Sequence, residues 1–307
     1  MQYIFGPVAS RRLKRSLGVD LIPYKTCSFD CIYCELGRTT NKTIERKEYI
    51  PPEKIIVDLK EYLEQKTITP DYITLGGSGE PTLHSRVGVI ISEIKKITSV
   101  PVAVLTNSSL LYQDTVKENL LLADIILPSL DAVTKPLFEY INRPHPSLQI
   151  NEIIKSLKDF RKAFAGKIWL EILFCLGVND SKGEIKALNE AIQEIKPDKI
   201  QLNSVDRPPA EDFVFPEPIE KLAEIQNEFG EKAEIIVGQI FDSPIGTILD
   251  EKKRILNLLK RRPCTLIDIS KTLGIHQNEL VKFLDILRKE GEVHHRIYNN
   301  QCYYGAR

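Results

Sequence analysis

The chain has 307 residues, and its 42 lysines and arginines balance 42 aspartates and glutamates. Length leaves room for one large domain and a small one, and the overall charge argues neither for nor against an acidic partner. No charged leader followed by an apolar core opens the sequence and no apolar run is long enough to cross a bilayer, so a soluble cytoplasmic protein with no membrane partner is expected.

Charge is uneven along the chain. Residues 248–307 carry 12 basic and 7 acidic side chains, which leaves 30 against 35 in residues 1–247. Near the start, Arg11, Arg12, Lys14 and Arg15 precede Leu17 to Ile22, a short apolar run closed by Pro23 that reads as a strand. Basic residues this dense suit either an anionic ligand or a solvated loop. Next comes a loop with Cys27, Cys31 and Cys34, three and then two residues apart.

Beyond the loop, Ile55, Ile56, Leu59 and Leu63 recur at helical spacing after Pro52, and Tyr72 to Leu75 runs into the glycine turn 76–83. The cycle repeats with helices near 86–97, 112–122, 150–163 and 183–195. The intervening strands are Val102 to Leu105, Asp124 to Pro128, Ile168 to Leu176 and Lys199 to Asn203. Six strand-then-loop units predict an α/β fold with parallel pairing, as a barrel or a doubly wound sheet, and the polar residues gather at the carboxyl ends of the strands.

Prolines 208, 209, 216 and 218 mark a boundary, followed by a helix near 217–229, a strand at Ile235 to Val237 and a break at Pro244 and Gly246. The expected domains are therefore 1–210, a linker and extension over 211–247, and 248–307. The last part reads as helices Leu249 to Lys260, Leu266 to Leu273 and Gln277 to Lys289, then two β-prone runs around Asn299 and Asn300, a winged-helix order. Burial of Leu280, Phe283, Leu284 and Leu287 would turn Gln277, Asn278 and Lys282 outward as a recognition face.

Three clustered thiolates are soft ligands suited to an iron-sulfur centre, and on four irons they leave one iron open to a further ligand. A zinc knuckle with a distant fourth ligand, or three unrelated thiols, are the plainer alternatives. Cys175, Cys264 and Cys302 are isolated and read as small buried hydrophobes, so no second cluster is expected. Gly76-Gly-Ser-Gly-Glu-Pro lacks the lysine and hydroxyl of a phosphate loop.

The cysteine spacing, with Tyr33 before the last cysteine, and the Gly-Gly-Ser-Gly-Glu turn after the second strand together resemble the signature of the radical S-adenosylmethionine (radical SAM) superfamily. The resemblance covers roughly residues 5–210 and implies a partial barrel of six units holding one [4Fe-4S] cluster on Cys27, Cys31 and Cys34. It also implies S-adenosyl-L-methionine chelated to the free iron and cleaved by one electron to a 5'-deoxyadenosyl radical, with no general base needed for that step. Its electron donor would be ferredoxin or flavodoxin. Gly77, Gly79 and Glu80 would hold the methionine ammonium, Thr106 and Asn107 would lie near the methionine end, and Ser129 and Asp131 would bond the carboxylate or ribose. Leu202 and Asn203 would offer backbone to adenine, and Tyr33 would pack on it.

Within the superfamily the chain is similar to the group related to the tRNA wyosine synthases, but it has no cysteine before Cys27 for their second cluster. The implied substrate is a macromolecule such as tRNA or a peptide, recognised by the basic tail, with Arg143-Pro-His-Pro as a substrate-side loop or a proline turn. A non-catalytic iron-sulfur sensor that binds DNA is the reading from a different class.

Overall fold

The structure, a computed structural model, describes residues 3–65, 69–236, 251–275 and 277–306. Strand β1 (Ile4–Ser10) folds back antiparallel on β2 (Lys14–Val19), with a register shift between Phe5 and Val8. Phe5 then lies over Gly18, where a Cβ would stand 2.0 Å from the ring, so only glycine leaves it a seat. The cysteine loop follows, pinned by the short parallel pair β3 (Thr26–Cys27) and β4 (Asn41–Lys42).

Helices and strands then alternate through α1 (Pro52–Gln65), β5 (Tyr72–Leu75), α2 (Val87–Ile97), β6 (Val102–Thr106), α3 (Asp114–Leu120) and β7 (Ile125–Pro128). Two helices, α4 (Lys135–Ile141) and α5 (Ile150–Ala163), precede β8 (Lys167–Phe174), α6 (Lys182–Ile195), β9 (Lys199–Ser204), α7 (Ile219–Phe229) and β10 (Ala233–Ile235). The sheet order is β1-β2-β5-β6-β7-β8-β9-β10, parallel from β2 onward.

Alternation along the strands separates two faces. Leu17, Ile73, Val104, Ile126, Leu170 and Leu202 join the helices in the main core. Ala103, Ile125, Leu127 and Trp169 point the other way and pack with Leu13 into a separate floor. Above that floor, residues of β2, β5, β6, β8 and β9 line one cavity. The sheet therefore curls around it, with β1 and β10 as its two outermost strands.

The six expected units correspond to β2 and β5 through β9. Sequence reading did not find β1, where Gly6 and Pro7 break the strand pattern, or α4, a seven-residue helix with proline in its first turn. Val237, Pro244, Gly246, Leu249 and Asp250 lie outside the described residues.

The C-terminal part comprises α8 (Glu251–Leu259), β11 (Cys264–Thr265), α9 (Leu266–Leu273), α10 (Gln277–Lys289), β12 (Val293–Tyr298) and β13 (Gln301–Ala306). Its strands form a small antiparallel sheet in the order β11-β13-β12. A capping box of Thr265 and Asp268 starts α9 and Gly274 in the left-handed region ends it. Asn299 and Asn300, both at positive φ, make the expected hairpin turn. Leu280, Leu284 and Leu287 are buried with Phe283 packed against them, and Gln277 is exposed. The side chains of Asn278 and Lys282 lie outside the described residues.

This part docks on the N-terminal hairpin. Val8 belongs to its apolar core, the Arg261 guanidinium sits 4.0 Å over the Phe5 ring and pairs with Asp20, and the Tyr303 hydroxyl donates to the Asp206 carbonyl at 2.6 Å.

Candidate functional site

The site begins with two loops that the backbone ties together. Lys25 N donates to Ser78 O at 2.7 Å and Glu80 N to Thr26 O at 3.2 Å, so the glycine turn runs beside the start of the cysteine loop. A Cβ on Gly79 would fall 1.9 Å from Thr26 O, which makes glycine there a condition of the approach. Asp20 secures the other side of the turn by accepting from Ser78 N at 3.0 Å.

Glu80 is 2% exposed and does not line the cavity. Its carboxylate accepts from Thr82 N, Thr82 Oγ1, Thr106 Oγ1 and Asn107 N at 2.5 to 3.0 Å. Burial raises its pKa while those donors oppose the rise. It therefore braces the glycine turn against the loop after β6. Asn107 reaches on from that loop, its Nδ2 donating to Ser28 Oγ at 2.9 Å and lying 3.5 Å from Cys27 Sγ.

A second brace comes from the opposite side. Asp131 accepts from Tyr33 OH at 2.5 Å, Asn142 Nδ2 at 2.8 Å and Leu173 N at 2.9 Å. Burial lifts its pKa to about 6 against the pull of those bonds. Asn142 Nδ2 also lies 3.4 Å from Cys31 Sγ. The Arg143-Pro-His-Pro segment packs on the same loop, with His145 N donating to Ser28 O at 2.8 Å and Asp30 N to Asn142 O at 3.0 Å.

All three loop thiols are free and partly buried. Burial pushes Cys27 up to about 12 and Cys34 up to about 11, and raises Cys31 strongly as well. Thiolates in this loop therefore need a cation to stabilise them, and amide donors already stand at two of the sulfurs. That donor set fits a thiolate-ligated cluster. Among the described residues no three His, Cys, Asp or Glu side chains gather tightly enough for a single metal ion, a convergence that the wider spread of a cluster's ligands does not require.

The sequence-derived candidates divide into four groups. Tyr33, Cys34, Gly77 and Asn203 line one cavity of about 300 Å³ over the inner face of the sheet, with Gly76, Leu105 and Leu173. Asn107, Ser129 and Asp131 border a narrow cleft beside Phe29 and Phe138. Gly79, Glu80 and Thr106 serve the bracing described above. Leu202 packs its side chain into the helical layer, and its carbonyl accepts from Ile236 N at 2.9 Å. Strand alternation is the reason, because neighbours on β9 face opposite ways.

Sequence reading missed the charged groups of this cavity. Arg12 pairs with Glu171, Arg11 pairs with Asp206 at 2.9 Å, and Arg261 and Arg262 enter from the C-terminal part. The basic run at residues 11–15 was the only signal, and its first two members turn inward. Cys175 and Cys264 are fully buried in separate apolar cores and Cys302 is half-buried in β13.

Comparison with known proteins gives these features a family. A protein named GTPase Obg from Brachyspira hyodysenteriae is 37% identical over 315 residues, 99% of this chain, which spans 45% of that protein's length. A UPF0026 protein from Methanocaldococcus jannaschii is 36% identical over 232 residues, 75% of this chain and 72% of its own. In fold, the chain is similar to a radical SAM methyltransferase from Sphaerobacter thermophilus, with a TM-score of 0.55, 16% identity, and 72% and 65% of the two chains covered. The family model described as the radical SAM superfamily matches residues 21–188, more than half of the sequence and the part that contains both loops. The chain belongs to the radical SAM superfamily.

Proposed function

We propose that the chain cleaves S-adenosyl-L-methionine reductively at one [4Fe-4S] cluster on Cys27, Cys31 and Cys34, and uses the radical to modify a macromolecule, with tRNA as the preferred class. The observation that carries the reading is the shared wall of the cavity. Cys34 and Tyr33 of the cysteine loop and Gly76 and Gly77 of the glycine turn line the same space. Bound together, the cluster and S-adenosyl-L-methionine supply one-electron cleavage of a carbon-sulfur bond and a 5'-deoxyadenosyl radical.

The chain's own residues position the reactants and exclude water. Gly77, whose Cβ would stand 2.6 Å from Asp20 Oδ1 and 3.0 Å from the Phe5 ring, lets both side chains close on the turn, Asn203 offers an amide at the far wall, and Tyr33 is held by Asp131. Anaerobic assay of the cluster-loaded chain should release 5'-deoxyadenosine from S-adenosyl-L-methionine under strong reductant, and Cys31→Ala should not. No release from a fully loaded cluster would sink the reading.

The tRNA preference rests on the basic surplus of residues 248–307 and on their order of helices and hairpin, which we read as a winged-helix-like unit over 248–307, joined by 211–247 to a catalytic part over 1–210. Lys289 and Arg296 are exposed there. Reversing both to Glu should weaken tRNA binding by the full chain at least about tenfold at moderate salt. Binding unchanged by the double variant turns the reading toward a peptide substrate. Ferredoxin or flavodoxin is the electron donor in this scheme, and exposed Arg38 and Lys42 on the outside of the cysteine loop suit an acidic carrier.

A further inference from the structure

Where the C-terminal part meets the sheet, three guanidinium groups gather that the reaction above leaves unused. Arg11 lies in the turn between β1 and β2, Arg207 follows β9, and Arg262 precedes β11. All three line both the inner cavity and a second recess that opens between β9, α7 and the C-terminal part. They stand at the passage from one to the other.

Two carboxylates serve these three cations. Asp206 pairs with Arg11 at 2.9 Å and stands 3.8 Å from Arg207, while Glu35, next to Cys34, pairs with Arg207 at 3.0 Å. Deeper in the cavity the charges cancel, since Arg12 pairs with Glu171 and Arg261 with Asp20. On the outer wall Asp268 is engaged in its capping box, and Lys271 lies along the same recess. Three guanidinium groups thus face two carboxylates at the junction, a surplus of one positive charge.

Hydrogen bonding identifies where it resides. Arg262 has only its backbone carbonyl engaged, accepting from Cys264 Sγ at 3.6 Å, and its guanidinium has no hydrogen bond or ion pair among the described residues; Arg207 Nε is buried without a hydrogen-bond partner, and that side chain is 13% exposed. A partly buried cation and an orphaned buried donor both cost stability unless an anion completes them. A planar carboxylate satisfies one guanidinium fork, whereas a tetrahedral phosphate presents oxygens in several directions and suits donors arriving from three chain segments.

We propose that Arg11, Arg207 and Arg262 form a phosphate-binding subsite at the mouth of the inner cavity, gripping a phosphate group of the substrate between the sheet and the C-terminal part. This rests on the reading of the inner cavity as the place of reaction, and for an RNA substrate the group is the phosphate flanking the nucleotide that enters.

Calorimetric titration of the full chain with inorganic phosphate, and separately with acetate at equal ionic strength, tests the subsite. Phosphate should bind saturably and acetate at least about tenfold more weakly; Arg262→Gln should lose about tenfold in phosphate affinity, with partial recovery in Arg262→Lys. Arg11→Gln provides a second variant should Arg262→Gln melt early. Absence of saturable phosphate binding, equal binding of acetate, or undiminished affinity in both glutamine variants would overturn the proposal. The same preparation assayed for 5'-deoxyadenosine separates the two ideas: cleavage without phosphate binding removes the subsite and leaves the reaction standing.

Discussion

At the scale of single residues, short-range packing and a few buried polar groups decide the site. Gly79 is the sharpest case, because a methyl group there meets a backbone carbonyl that has no room to move. Gly79→Ala should cost about 1–3 kcal/mol and reduce cluster loading, read as the iron-sulfur absorbance per chain after reconstitution. Asn142 tests a subtler effect. Replacing it by alanine removes the amide donor at Cys31, and the loaded cluster should become harder to reduce by roughly tens of millivolts in an EPR-monitored titration.

Glu217 carries the clearest pH signature outside the cysteine loop. It is 5% exposed, its Oε2 has no hydrogen-bond partner, and burial followed by the nearby Asp180 raises its pKa to about 7. The folded state holds this proton more tightly than the unfolded chain. The resulting stability is present in full below about pH 4 and is lost as pH rises through about 7. Glu217→Gln should therefore raise the melting temperature at pH 8 and flatten the slope between pH 5 and 8, by an amount up to about 3 kcal/mol.

At the scale of elements, the alternating units were legible because their information is local. Apolar spacing fixed α1, α5 and α6, and the prolines and glycines placed the turns. The cysteine loop and glycine turn were legible for the same reason. What sequence alone did not reveal depends on contacts between distant segments: Asn142 lies 111 residues from Cys31, and Glu171 lies 159 residues from Arg12. On β9 the phase of alternation turns the Asn203 side chain to the cavity and the Leu202 side chain to the helical layer. β1 escaped detection, yet its hairpin with β2 carries the docking of the C-terminal part. Arg261→Leu should strip Asp20 of its partner at that joint and cost about 3–5 kcal/mol of docking, visible as faster amide exchange across α8 and α9.

At the scale of the whole molecule, the sheet and the C-terminal part share a wall of the inner cavity. Their polar contacts fall on the rim of the space where chemistry is proposed, and the substrate-facing arginines come from both parts, Arg11 and Arg207 from the sheet and Arg262 from the C-terminal part. The basic surplus of the tail is thus partly turned toward the cavity, with Arg261 and Arg262 directed inward and Lys289 and Arg296 left outside.

Asp20 gives this arrangement a thermodynamic consequence. One carboxylate accepts from Ser78 N in the glycine turn and pairs with Arg261 of the C-terminal part. Any ligand that favours the ordered turn by a given free energy must favour the docked position of Arg261 by the same amount wherever the two are coupled, because linkage is reciprocal. Occupancy of one side thus biases assembly of the other, with a single side chain as the fulcrum.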